Sequence, residues 1–246
     1  MDTPEKKAAT GAEHTVSDQN NQARIWDHFQ NRAPESFKAA KPRLDFIIGQ
    51  IAKRKQTARP RVLNIGAGDG YFESVAQKHG WEIYALDPNE TAIQRLVKQR
   101  VKGFQGYVEM MPFESEMFDF VVASEVIEHL TDEQRARGLK EIVRVLKPDG
   151  LFLGTVPYCE DLFLNEVVCP KCGDVFNRWG HQKSFDLSDI QNELRPFFSN
   201  ATTTTAAFVA FSDAPFFRKI KNLIYWIRGR LGAKLLTTSI FFSARK

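Results

Sequence analysis

The sequence predicts an α/β fold, a doubly wound and mostly parallel sheet of seven strands. Three observations carry that reading. Short apolar runs alternate with helical segments from Arg61 to Val156. The runs are continuously apolar, as in strands covered on both faces. A glycine cluster, Gly66-Ala67-Gly68-Asp69-Gly70, stands where the first strand gives way to the first helix.

The elements follow in order. Residues 1–22 are polar, lack hydrophobic periodicity and read as a disordered tail. Residues 23–59 form an N-terminal helical cap. There Ile25, Trp26 and Phe29 share one face and Leu44, Ile47, Ile48 and Ile51 another, with Pro34 and Pro42 as breaks. The core, residues 60–157, gives strands at 61–65, 82–86, 103–108, 118–123 and 151–156, and helices at 71–79, 91–99 and 133–146. Residues 158–184 break the rhythm and read as an inserted loop or small subdomain. The C-terminal part, 185–246, adds a helix at 186–194, two strands at 202–211 and 237–244 forming an antiparallel edge pair, and a basic helix at 216–231.

Composition restricts the function classes. The 246 residues are 43% hydrophobic and 26% charged, ordinary for a globular chain. Thirty-four basic residues against 30 acidic give +4, too small an excess to argue for nucleic acid. No apolar run reaches the roughly 18 residues that span a bilayer, and no apolar stretch of a secretory signal occurs near the N-terminus. The three cysteines cluster between positions 159 and 172, which argues against a scattered disulfide framework. The expected compartment is the cytosol.

The glycine turn and Asp87 point to a nucleoside. Glycine lets backbone approach a ligand closely, the next helix offers unpaired N–H groups, and Asp87 ends the second strand nineteen residues beyond Gly68. That spacing suits a carboxylate accepting hydrogen bonds from ribose hydroxyls. Tyr71 stands where a dinucleotide fingerprint needs a small residue, so a phosphate-free adenosyl ligand is expected rather than NAD.

VLNIGAGDGYF, YALDPNE, MPFESEMFDFVVASEVIEHL and LKPDGLFLGTVP stand in order over residues 60–157. With these motifs the sequence resembles the class I S-adenosylmethionine-dependent methyltransferases, in particular the subgroup that includes ubiquinone-biosynthesis O-methyltransferases. The resemblance implies a Rossmann-like methyltransferase fold and S-adenosylmethionine as cofactor. Gly66, Ala67 and Gly68 would line its methionine part, Asp87 would hold the ribose, and Val108 and Glu109 would lie near the adenine. Asn64, Pro88 and Ser124 complete the expected cofactor contacts. Asn64 stands where the family usually has an acid, and Tyr107 replaces an acid that often meets the adenine amino group.

Ser124-Glu125-Val126-Ile127-Glu128-His129 follows the fourth strand at the carboxyl edge of the sheet. His129, with Glu128, is the candidate catalytic pair. A hydroxyl acceptor benefits from a base titrating near working pH, which His129 would supply; the alternative is that both residues cap and orient the next turn. In some relatives an E-x-x-E-H arrangement binds a divalent cation, and Glu125, Glu128 and His129 reproduce that spacing. No Asn-Pro-Pro-Tyr sequence follows the strand, which argues against methylation of a base amino group.

Cys169-Pro170-Lys171-Cys172-Gly173 is a C-x-x-C knuckle, with His181 nine residues later. Zinc takes about four nitrogen and sulfur ligands, so the expected structural Zn2+ site is Cys159, Cys169, Cys172 and His181, with Glu160 or Asp161 as substitutes. The insertion would then be a rigid acceptor lid. Its sequence also resembles a loop in bacterial methyltransferases of cell-surface glycan assembly. The helix at 216–231 has apolar residues at helical spacing and no acid after Asp213. Packing of its apolar face on its own domain is the expectation; the alternative is peripheral contact with an anionic inner membrane surface.

The functional expectation is methylation of an oxygen on a small-molecule or glycan/lipid-linked acceptor. Two other classes stay open: an RNA or protein methyltransferase, and a non-catalytic zinc-stabilised binding protein on the same fold.

Overall fold

The computed structural model describes residues 13–209, 216–233 and 238–246. Seven strands make one sheet: β1 (Arg61–Ile65), β2 (Glu82–Asp87), β3 (Lys102–Gln105), β4 (Phe118–Ser124), β5 (Leu146–Pro157), β8 (Asn200–Ala207) and β9 (Thr238–Arg245). A separate hairpin pairs β6 (Glu166–Val168) with β7 (Val175–Asn177). The order in the sheet is β3-β2-β1-β4-β5-β9-β8. The first five strands run parallel, and β9 lies antiparallel between β5 and β8. This is the Rossmann-like methyltransferase arrangement expected from the sequence.

Alternate residues of each strand enter opposite cores, as a pleated strand requires. Leu63, Ile65, Leu86, Ala123, Phe152 and Phe242 pack on one side, under α5 (Asp132–Val145) and α6 (Leu187–Leu194). Val62, Ile83, Ala85, Phe120, Val122 and Leu153 pack on the other, with α2 (Lys41–Arg54), α3 (Tyr71–Lys78) and α4 (Glu90–Lys98). Helix starts are set by side-chain caps. Asn89 accepts from the Ala92 amide, Thr131 and Gln134 form a capping box, and Asp186 and Asp189 form another.

From β1 the chain winds outward to β3 and returns to β4 on the other side. The carboxyl ends of β1 and β4 therefore flank the point where the winding reverses, where open α/β sheets bind ligands.

Two departures from expectation concern the site, at the first helix and at β3. Helix α1 (Glu13–Asn31) runs through the boundary drawn at residue 22, so residues 13–22 are helical; the first twelve lie outside the described residues. Polar residues mask this helix because much of its partner is the site rather than the core. Strand β3 ends at Gln105, since Gly106 N–H bonds Asp87 O and a turn closes from Tyr107 to Met110. The insertion holds the hairpin and a short 3-10 turn, Phe163–Asn165. Expected strand residues 210, 211 and 237 lie outside the described residues. Helix α7 (Phe216–Arg230) packs on β8, but Ile220, Leu223, Ile224 and Ile227 stay exposed, against the expected packing of that face on the domain. Among the described residues no helix is long and apolar enough to cross a membrane.

Candidate active site

A cavity of about 780 Å³ opens at the carboxyl ends of β1, β2 and β4. Asn64, Gly66, Ala67, Gly68, Asp87, Pro88, Val108, Glu109, Ser124 and His129 all line it. Glu128 does not; it lies fully buried behind His129.

Gly66 shows why the turn is glycine-rich. Its φ is +85°, and a Cβ there would stand 2.9 Å from Val126 Cγ2, so only glycine lets the turn pass the loop after β4. The turn is tied to Asp87: Ala67 N–H donates to Asp87 Oδ2 at 2.7 Å and Asn89 N–H to Oδ1 at 2.8 Å. Burial pushes the Asp87 carboxyl up, although bonds from Asn89, Ala67 and Gln30 pull the other way. A carboxylate oxygen accepts more than one hydrogen bond, so Asp87 retains capacity for a ribose hydroxyl.

Sequence reading missed Gln30. Its Nε2 donates to Asp87 Oδ2 at 3.1 Å, and its buried Oε1 has no partner. Gln30 belongs to α1, which closes the cavity with Gln22 and Trp26. Gln22 Nε2 donates to His129 O at 2.6 Å and Gly180 O at 3.1 Å, and Trp26 meets the His129 ring edge-on at 4.8 Å. Arg43 was missed too: its Nε donates to Ser124 Oγ at 2.9 Å and lies 3.9 Å from Glu125. No local pattern marks such residues, because their partners lie from 57 to 158 positions away.

Glu73 supplies an acid close to the position where Asn64 lacks one. Asn64 Nδ2 donates to Glu73 Oε1 at 2.6 Å. Glu73 is fully buried, and that burial pushes its carboxyl up to about 7. Tyr71 does not line the cavity; its hydroxyl donates to Asp45 Oδ1 at 2.8 Å.

Below the cavity floor the loop after β4 holds several unpartnered polar atoms. Glu125 takes a left-handed φ of 55°, and the 3-10 turn Ile127–His129 follows. His129 Nδ1 lies 3.3 Å from Gly180 O. The carbonyl requires Nδ1 to be the donor, which leaves Nε2 as an open lone pair. Burial, then the neighbouring His181, pushes His129 down to about 3. An imidazole held there is a weak base at neutral pH, so the environment disfavours the expected base. Both Glu128 carboxyl oxygens and His129 Nε2 are buried without hydrogen-bond partners, and Glu125 Oε1 has only the ion pair with Arg43. Burial, then the neighbouring Glu125, raises the Glu128 carboxyl well above its ordinary range.

The expected zinc set does not assemble. Cys169 and Cys172 share a tight turn at the hairpin tip, where Gly173 N–H bonds Cys169 O at 2.8 Å and Cys172 Sγ donates to Asp174 Oδ2 at 3.2 Å. Cys159 lies at the root of the insertion, its N–H bonding Phe185 O. All three are free thiols. His181 lies where the chain returns to the site and pairs with Glu160 through Nδ1. The physical reason is the hairpin, which carries the knuckle outward while β7 brings His181 home. Among the described residues, the group able to hold a metal is Glu128, His129 and His181, with ligand atoms within 4.8 Å of one another.

Residues 63–154 match the family model described as a methyltransferase domain. With the sheet order and the glycine turn, that match, over less than half of the chain, makes this segment similar to the class I S-adenosylmethionine-dependent methyltransferases. S-adenosylmethionine is the cofactor of that class. An uncharacterized methyltransferase of Staphylococcus carnosus is 27% identical over 148 residues, 58% of this chain and 67% of its own length. A probable S-adenosylmethionine-dependent methyltransferase of Mycobacterium tuberculosis is 35% identical over 113 residues, 45% of this chain but only 40% of that protein. A demethylmenaquinone methyltransferase of Chlorobaculum parvum is 28% identical over 186 residues, 70% of this chain and 75% of that protein. Among solved structures, the 1,6-didemethyltoxoflavin-N1-methyltransferase of Burkholderia thailandensis, with S-adenosylhomocysteine bound, superposes at a TM-score of 0.66. It is 16% identical, covering 99% of this chain and 93% of that one, a likeness of fold.

Proposed function

We propose that the chain transfers the methyl group of S-adenosylmethionine to an oxygen of a small-molecule or glycan/lipid-linked acceptor. One observation carries the reading: a single cavity joins the Gly66 turn and Asp87 at one end to His129 at the other. Asp87 and Gln30 would take the ribose hydroxyls, and the turn the methionine part. Transfer from a sulfonium needs alignment and exclusion of water more than covalent help. Helix α1 supplies the exclusion, with Trp26 and Gln22 over the loop after β4. A relative whose name gives demethylmenaquinone as its acceptor supports a small-molecule substrate.

Glu128, His129 and His181 fit a divalent cation, since a buried carboxyl with two unpartnered oxygens calls for a positive partner. A carboxylate with two imidazoles suits manganese or zinc better than magnesium. Such an ion would lower the pKa of an acceptor hydroxyl, the task that His129 is too weakly basic to perform.

The test is calorimetric titration of the full chain with S-adenosylhomocysteine, with NAD as control. Saturable binding of S-adenosylhomocysteine alone is expected. No binding by folded protein supplied with manganese would sink the reading and leave a non-catalytic scaffold.

A further inference from the structure

Helix α7 turns the wrong side to its own domain. At 100° per residue, Ile220, Leu223, Ile224, Ile227 and Leu231 fall within one arc. Gly229 falls opposite. It is the buried residue among those of the helix whose burial is described, and a Cβ there would overlap Ala207 at the end of β8. The helix thus rests on the sheet by its glycine side, and the apolar arc faces outward. Ile220 is 44% exposed, Leu223 48%, Ile224 52%, Ile227 44% and Leu231 80%.

The charge around this arc has one sign. Lys221 and Arg228 border it and are exposed. No acidic residue occurs from Ala214 to Lys246. An apolar stripe with cationic borders complements an anionic lipid surface, where the stripe enters the boundary between headgroups and acyl chains. A second copy facing this stripe would bring two cationic borders together without an acid between them. An acidic macromolecule would satisfy the cations but leave the stripe in water.

We propose that α7 docks this protein on an anionic membrane surface, apolar arc inward and Lys221 and Arg228 against the headgroups. The inference is independent of the methyl-transfer reading and concerns where the protein acts. Sedimentation of the full chain with phosphatidylcholine vesicles, with and without phosphatidylglycerol, tests it directly. Partition into the phosphatidylglycerol vesicles is expected, weakening as salt rises. The double variant Lys221→Gln/Arg228→Gln should bind about thirtyfold more weakly, from about 1 kcal/mol per basic residue near the surface. Ile224→Asn/Ile227→Asn should abolish partition, with thermal unfolding unchanged because both positions are exposed. Wild-type protein that stays in solution with anionic vesicles overturns the proposal, as do folded variants that bind like wild type. A concentration-dependent dimer dispersed by Ile224→Asn/Ile227→Asn overturns it as well, assigning the face to self-association.

Discussion

Replacing Glu73 with glutamine should make the protein more stable at alkaline pH and no more stable in acid. Glu73 is fully buried, with Oε1 accepting from Asn64 and Oε2 without a partner. Its carboxyl rises from an ordinary 4.5 to about 7 because the charged form is desolvated. The unfolded chain releases this proton near 4.5, while the folded chain holds it to about 7. Between those values the folded state binds more protons, so Glu73 lowers stability as pH rises and the loss is complete above about 7. At 1.36 kcal/mol per pH unit, the difference from 4.5 to about 7 amounts to about 3 kcal/mol. Glutamine keeps an oxygen for Asn64 and has no charge to desolvate. Urea unfolding of wild type and Glu73→Gln at acid and at alkaline pH measures the effect. The variant's advantage should be near zero at about pH 4 and about 3 kcal/mol above pH 8. A difference that does not change with pH would refute the reasoning, since a purely steric effect of the amide has no reason to titrate.

Other expectations follow from the same geometry. Asp87→Ala should weaken S-adenosylhomocysteine binding at least tenfold by calorimetry, since the carboxylate both organises the turn through Ala67 and faces the cavity; wild-type affinity would remove the ribose assignment. His181→Ala should lose bound manganese in a metal analysis, whereas Cys172→Ser, at an exposed thiol, should retain it. The reverse result would restore the knuckle as the metal site. Gly229→Val should lower the thermal midpoint, because its side chain overlaps Ala207 and overpacking costs about 1–3 kcal/mol; an unchanged midpoint would mean that α7 is not seated there.

The core fold was legible because its signals are local. Arg61 to Ile65, Phe118 to Ser124 and the turn at Gly66 each announce themselves within a dozen residues, and the order of strands follows from the alternation. Asp87 was legible by its distance from the glycines. The cap was not, since the polar residues of α1 look like solvent-facing ones until Gln30 is seen against Asp87. Glu73 was hidden in the same way: only the fold puts its carboxyl against Asn64. The zinc expectation finds no support in where its residues lie. Spacing grouped His181 with the thiols it follows, whereas a short hairpin is enough to send two neighbours in sequence to different places. Helix α7 misled for another reason. Periodicity shows that a helix has an apolar side but not which way that side points, and a single glycine decided the matter.

The root of the insertion has a consequence for how such a protein can change. Glu160 and His181 close its neck, Cys159 N–H is bonded to Phe185 O, and Tyr158 bridges to Phe185. The hairpin beyond that neck pairs with itself and holds none of the three residues grouped around Glu128. Length and sequence can therefore drift between Glu166 and Phe176, whereas Asn165 and Asn177 are tied to the neck through Glu160 and the His181 N–H. The portion near His181 has no such freedom, because Gly180 also receives bonds from His129 and Gln22. A graft exchanged at the neck would carry a new outer surface to an old catalytic floor, so novelty at one end of the loop is insulated from the other.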